Sequence, residues 1–155
     1  MINIGFDFDN TIISYEKSFY FLACKIYKMP SDIEKDKASV RQFFINSERE
    51  DEFTELQGLV YGKEIMKANS TKNFIKLLKK IYKDKNFNIF IVSHKTKYPY
   101  IGEKINLRDA ATNWIKKNLT SNNKELIKQN NIFYENTIEE KIERITKINC
   151  HYFFD

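Results

Sequence analysis

Two aspartates stand one residue apart near the start of the chain, in the stretch FDFDNT at positions 6–11. They follow an apolar run that has the character of a buried strand, and a strand with a purely structural role has no use for acids at its end. Proteins use carboxylates for nucleophilic attack, for proton transfer and for binding hard cations. Asp7 and Asp9 are therefore the first candidates for chemistry.

Polar residues also end two later apolar runs. NIFIVSHKT places Ser93 at the end of one run, and HYFFD places Asp155 at the end of another. Lys141 lies in the first turn of the helix predicted before the last strand, where a cation opposes the helix dipole. Ligands bind at the carboxyl ends of parallel strands, so these residues together predict a site that none predicts alone.

The elements that must position these residues alternate between strand and helix patterns. Helices are predicted after caps at Ser70, at Asn106 and at Thr137, the last with Glu140 in a capping box. Short β-branched or aromatic runs predict four strands, at 2–8, 87–92, 131–134 and 151–154. This alternation predicts an α/β domain around a parallel sheet. Residues 14–69 are almost wholly helical in pattern and form an insertion between the parts 1–13 and 70–155.

Length and composition limit the classes of protein to which the chain can belong. The 155 residues make about one domain, and 42% hydrophobic with 30% charged residues is typical of a globular protein. No apolar run approaches the roughly 20 residues of a membrane span, and we expect no signal peptide. Two cysteines without a metal or disulfide pattern favour a reducing cytoplasm. The net charge of +5 is spread along the chain, so we expect no nucleic-acid partner, although it would attract a small anion.

The strand-end residues resemble the motifs of the haloacid dehalogenase superfamily, in its phosphatase and phosphotransferase branch. FDFDNT is similar to the first motif, FIVSH to the second and FFD to the start of the fourth, while Lys141 stands where the third-motif lysine is expected, with Lys147 as a competitor. The resemblance implies a Rossmann-like parallel sheet with helices on both faces and a small helical cap at 14–69. Because the family sheet normally continues past the fourth-motif strand, we expect the part 70–155 to be C-terminally incomplete.

The resemblance also implies a reaction, which is Mg²⁺-dependent hydrolysis of a phosphate monoester through a phosphoaspartyl intermediate. Asp7 would be the nucleophile, and Asp9 the general acid and then the general base. Ser93 and Lys141 would bind the phosphate oxygens. The implied metal ligands are the Asp7 side chain, the Asp9 backbone carbonyl and Asp155.

The residues around these motifs give weaker indications. His94 and Lys95 begin a basic loop after the second strand and are candidates for substrate contacts. Asn10 and Thr11 join the phosphate-site candidates, with Thr11 organising the turn after the first strand. The expected substrate is a small phosphorylated metabolite, either a sugar or polyol phosphate or a nucleotide. The alternative is a non-catalytic relative that keeps the fold and binds phosphate or a partner, and the sequence does not indicate an oligomeric state.

Overall fold

The computed structural model describes residues 1–155, and its largest sheet is built from the four predicted strands. All neighbouring strands run parallel, in the order β7-β4-β1-β8. The strands of this sheet are β1 (Ile2–Phe6), β4 (Phe87–His94), β7 (Ile132–Glu135) and β8 (Tyr152–Phe154). The two-residue strands are β2 (Ile13–Ser14), β3 (Asn69–Ser70), β5 (Thr120–Ser121) and β6 (Lys124–Glu125). The α/β prediction is confirmed.

Six α-helices complete the chain, and none of them is both long enough and apolar enough to cross a membrane. The helices are α1 (Glu16–Tyr27), α2 (Lys37–Asn46), α3 (Glu50–Tyr61), α4 (Phe74–Lys83), α5 (Leu107–Asn118) and α6 (Ile138–Lys147). Single-turn 3₁₀ helices lie at Ile65–Lys67 and Gln129–Asn131.

Two of the three predicted helix caps are present. Asn106 Oδ1 accepts from the N–H groups of Arg108 and Asp109 at the start of α5. Thr137 Oγ1 accepts from Glu140 N–H at the start of α6, and the Glu140 carboxylate accepts from Asn136 N–H. The cap predicted at Ser70 is wrong. Ser70 belongs to β3, and α4 begins only at Phe74, after Asn73 in a left-handed conformation.

The chain forms two compact units. The first contains residues 1–13, 70–96 and 112–155, and the second contains 14–69 and 97–111. The predicted division into 1–13 with 70–155 and an insertion at 14–69 stays a prediction, and residues 97–111 pack closely on α3 within the second unit. A Cβ added at Gly58 would lie 2.8 Å from Pro99 Cβ, so only glycine allows this approach.

In the first unit, helices cover both faces of the sheet. Phe74 of α4 packs edge-on against Phe6 of β1, with ring centroids 5.3 Å apart. On the other face, the Arg144 guanidinium of α6 lies 4.7 Å from the centroid of the Phe133 ring in β7. Side chains alternate between faces along each strand, so the register puts Phe6 and Phe133 on opposite sides.

In the second unit, α1, α2 and α3 pack around a core of aromatic rings. Phe19 and Phe53 stack with ring centroids 5.8 Å apart, and Phe44 meets Phe53 at 5.9 Å. The Asp36 carboxylate caps α2 by accepting from Ser39 N–H at 2.8 Å. The prediction that residues 14–69 are helical is confirmed, with short strand pieces only at the two ends.

Candidate functional site

Asp7 and Asp155 meet at the carboxyl ends of two adjacent strands. Asp7 directly follows β1 and Asp155 directly follows β8, and Asp7 N–H donates to Phe154 O at 2.8 Å. One ammonium group bridges the two carboxylates, since Lys141 Nζ lies 3.0 Å from Asp7 Oδ1 and 2.7 Å from Asp155 Oδ2. Residues that are far apart in sequence therefore form one ion cluster at this sheet edge.

Of the two candidate lysines on α6, only Lys141 reaches the carboxylates. The cap at Thr137 fixes the start of the helix, and Lys141 follows one turn later as a buried side chain. Lys147 lies in the last turn and is exposed. A lysine near a helix N-terminus is unfavourable by some tenths of a kcal/mol, which two charge-assisted hydrogen bonds offset.

Burial sets the electrostatics of the cluster. Burial raises the pKa of the Asp7 carboxyl above its ordinary value, and the nearby Asp155 and Asp9 carboxylates raise it further, against the lowering effect of Lys141. For Lys141, burial lowers the pKa, but the hydrogen bonds to Asp155 and Asp7 outweigh it, so that the pKa lies above its ordinary value. Asp7 is thus a carboxylate whose charge is costly unless a cation is near.

Asp9 pairs with a different lysine. Lys95 Nζ donates to both Asp9 oxygens, at 3.0 Å and 2.8 Å. Lys95 is buried at the end of β4, although the sequence indicated only a loop residue that could touch substrate. The pair holds the second carboxylate of the FDFDNT stretch in place beside the first.

A cavity of about 510 Å³ opens over the cluster. Its lining combines acidic, basic and apolar side chains, which are Asp7, Asp9, His94, Ile138, Lys141, Ile142, Ile145, Phe153 and Asp155. Ile138 and Ile142 are both 58% exposed, so these apolar residues of α6 line the cavity instead of filling the core. This volume is in the range of small-molecule sites.

Ser93 lies at the same sheet edge but does not line the cavity. Its side chain is buried, and its hydroxyl Oγ has no hydrogen-bond partner in the chain. The alternation along β4 puts Ser93 on the face of Ile91, which pairs with Phe6, and the adjacent His94 points to the cavity side. The hydrogen-bonding capacity of the Ser93 hydroxyl is therefore unused within the chain. Leaving a buried hydroxyl without a partner costs roughly 1–3 kcal/mol.

Asn10 and Thr11 shape the turn that follows Asp9. Asn10 is exposed with φ of 63°, a left-handed conformation that asparagine adopts more readily than most residues. The carbonyl of Thr11 accepts from Thr71 Oγ1 at 2.7 Å. These contacts fit a turn-forming role, and neither residue lines the cavity.

The carboxylate oxygens at this site are the kind of ligand that Mg²⁺ binds. No group of three or more His, Cys, Asp or Glu side chains is arranged to hold a metal ion. Mg²⁺, however, is commonly bound by one or two carboxylates, with water and substrate phosphate filling the other positions. Asp7 and Asp155 bring two carboxylates to one ammonium group, and Asp9 follows Asp7 by two residues.

Sequence reasoning missed one ion pair at this edge. Glu135 ends β7 and accepts from Arg144 Nε of α6 at 2.7 Å. Its backbone carbonyl also accepts from Lys95 N–H at 2.9 Å. A sequence signal for Glu135 was present, because it directly follows a predicted strand, as Asp155 does.

No family model, curated protein or solved structure matches this chain.

Proposed function

We propose that the chain is a haloacid-dehalogenase-like phosphatase that hydrolyses the monoester of a small phosphorylated metabolite, a sugar or polyol phosphate or a nucleotide, with Mg²⁺ as cofactor. The observation that carries the proposal is the Asp7–Lys141–Asp155 cluster beside Asp9, in a cavity at the carboxyl ends of parallel strands. In this proposal the helical segment 14–69 is the family's cap, and the cytoplasm is the compartment.

The proposed reaction begins with attack by the Asp7 carboxylate on phosphorus. Lys141 donates to Oδ1, so Oδ2 is the oxygen that attacks. A bond forms between Oδ2 and phosphorus while the phosphorus–oxygen bond to the leaving group breaks. Asp9 enters this step protonated and gives its proton to the leaving alkoxide, then takes a proton from the water that attacks the phosphoaspartate, and phosphate leaves with Asp7 restored.

Charge balance supports a metal-dependent reaction. Counting side chains only, and before Asp9 takes up the proton that it donates, the three carboxylates of Asp7, Asp9 and Asp155 outnumber the two ammonium groups of Lys95 and Lys141. The cluster is therefore net negative and would repel an anionic phosphate at close range, by ~4 kcal/mol for two unit charges about 4 Å apart at an effective dielectric of 20. Mg²⁺ held by Asp7, Asp155 and the Asp9 carbonyl would supply the missing positive charge.

Two further observations support phosphate as the ligand. Lys141 is a buried ammonium that can donate to non-bridging phosphate oxygens. Ser93 has a buried hydroxyl without a partner at the end of β4, which leaves it able to donate, although its side chain lies on the other face of the sheet from the cavity. His94 lines the cavity and is a candidate contact for the leaving group.

A second candidate function is phosphate binding without turnover. It is favoured by the ion pairs of the site, because Lys141 donates to one oxygen of the proposed nucleophile and Lys95 donates to both oxygens of the proposed acid. A binding domain would keep these pairs and use the lysines alone to hold an anion.

The deciding experiment measures release of nitrophenol from 4-nitrophenyl phosphate with Mg²⁺ and with EDTA. The variants are Asp7→Asn and, as a matched control, Asp51→Asn, which makes the same change at an exposed position in the first turn of α3. We expect Mg²⁺-dependent turnover that Asp7→Asn abolishes and Asp51→Asn retains. Saturable binding of inorganic phosphate without any turnover would support the binding domain instead.

A further inference from the structure

Lys95 is one of only four buried polar or charged residues in the chain, together with Asp7, Ser93 and Lys141. Its side chain is 3% exposed, whereas that of its partner Asp9 is 22% exposed. Removing an ammonium group from water is unfavourable unless it is paired and hydrogen bonded. A lysine that only contacted substrate would not need to be buried. The two hydrogen bonds to Asp9 therefore account for the burial of Lys95.

The two ends of Lys95 are held independently. Its backbone N–H donates to Glu135 O, directly beyond the last β4–β7 pair, His94 with Glu135. Its Nζ lies 5.7 Å from the centroid of the buried Phe8 ring and donates to both Asp9 oxygens. The main chain of Lys95 is therefore bonded to the neighbouring strand and its ammonium group to the Asp9 carboxylate.

Asp9 needs such a support because it lies outside the sheet. β1 ends at Phe6, and the turn continues through Asn10 in a left-handed conformation. Asp9 lines the cavity and Lys95 does not, so the ammonium holds the carboxylate from outside the space that a ligand would fill. A proton donor must stay within hydrogen-bond reach of the leaving oxygen, and a misplacement of about 1 Å can cost about 10²-fold in rate.

We propose that Lys95 is a positioning residue, which donates to one oxygen of the protonated Asp9 carboxyl and so fixes the other, proton-bearing oxygen for proton transfer to the leaving oxygen. The inference rests on the phosphatase function proposed above and adds a residue with no motif role. Lys95 was expected to contact substrate, and in this proposal it acts through Asp9 instead.

The test compares two aryl phosphates of similar shape. 4-Nitrophenolate is a stable anion that leaves without a proton, whereas phenolate from phenyl phosphate depends more on a proton donor. The readout is the ratio of kcat/KM for 4-nitrophenyl phosphate to kcat/KM for phenyl phosphate. This ratio does not depend on the concentration of folded enzyme, so a partly unfolded variant still gives an answer. We expect Lys95→Met to raise the ratio about tenfold or more, through loss of part of the 10²- to 10⁴-fold contribution typical of a general acid.

Three variants serve as controls. Lys97→Met removes the same charge from an exposed position two residues later and is expected to leave the ratio unchanged. Lys95→Arg keeps a donor pair for the carboxylate and is expected to restore most of the wild-type ratio. In an Asp9→Asn background, Lys95→Met is expected to change the ratio less than about threefold, because a residue that acts through Asp9 has nothing left to position.

The outcomes separate the two proposals. A wild-type ratio in Lys95→Met, or an equal further effect in the Asp9→Asn background, overturns the positioning role while leaving the phosphatase function in place. Absence of turnover of both substrates by the wild-type chain overturns the phosphatase function and this inference with it.

Discussion

Replacing Lys141 with methionine tests whether the central ion cluster depends on its one bridging cation. Lys141 Nζ contacts Asp7 Oδ1 at 3.0 Å and Asp155 Oδ2 at 2.7 Å, so the two carboxylate oxygens are less than about 6 Å apart. At a separation of about 6 Å and without the ammonium, their repulsion is ~3 kcal/mol at an effective dielectric of 20 and ~0.7 kcal/mol in water. The Asp155 side chain is 66% exposed, so solvent screens part of this energy.

We therefore expect Lys141→Met to lower the free energy of unfolding by about 1–2 kcal/mol at neutral pH, between these limits. For a chain of this size the melting temperature should fall by roughly 2–8 °C. Addition of Mg²⁺ should stabilise the variant more than the wild type, since a divalent cation would take over the neutralising role of the lysine. Thermal unfolding followed by circular dichroism, with and without Mg²⁺, measures both effects.

The pH dependence of this stability difference has a definite sign. The pKa of Lys141 is raised, so its contribution is complete below the ordinary lysine value of 10.5 and is lost as the pH rises through its folded value. The pair also needs an ionised Asp7, whose pKa lies above the ordinary 3.8, so the difference shrinks as the pH falls through that raised value. The difference in free energy of unfolding between variant and wild type should be largest between the raised pKa of Asp7 and the ordinary lysine pKa of 10.5.

Lys147→Met is the matched control, because it removes the same charge from an exposed position on the same helix. It should change the melting temperature little and should not alter the response to Mg²⁺. The reasoning fails if Lys141→Met and Lys147→Met have equal melting temperatures at neutral pH, or if the effect of Lys141→Met persists unchanged in acid.

Three further predictions concern other parts of the chain. Gly5→Ala should destabilise by about 1–3 kcal/mol in urea unfolding, because the added Cβ would lie 2.6 Å from Phe153 Cδ2; an unchanged midpoint would contradict this contact. Asn106→Ala should cost about 1 kcal/mol through loss of the α5 cap, while Asn106→Asp keeps the acceptor and should cost less; equal losses would argue against capping. Burial raises the pKa of the Cys150 thiol, so in a Cys24→Ser variant iodoacetamide should react more slowly with native protein than with urea-unfolded protein at mildly alkaline pH; equal rates would contradict the burial.

The sequence determined the elements better than it determined their contacts. All four strands of the sheet and the caps at Asn106 and Thr137 were predicted, because strand alternation and capping are local patterns of a few residues. Ser70 failed as a cap for a local reason too, since the chain forms a short strand and a left-handed turn before α4 begins. The close approach of residues 97–111 to Gly58 could not be predicted, because such packing has no sequence pattern.

The residues of the candidate site could also be predicted better than the contacts between them. Asp7, Asp155 and Lys141 could be selected from their positions next to predicted strand and helix ends, because parallel strands bring their carboxyl ends to one edge. Which atoms bond is a matter of register and rotamer, and only the tertiary structure decided that Lys141 bridges two carboxylates while Lys95 turns inward to hold Asp9. A sequence states which charges are available, but the pairing of buried charges depends on distances of 3 Å between residues up to 134 positions apart, which folding alone sets.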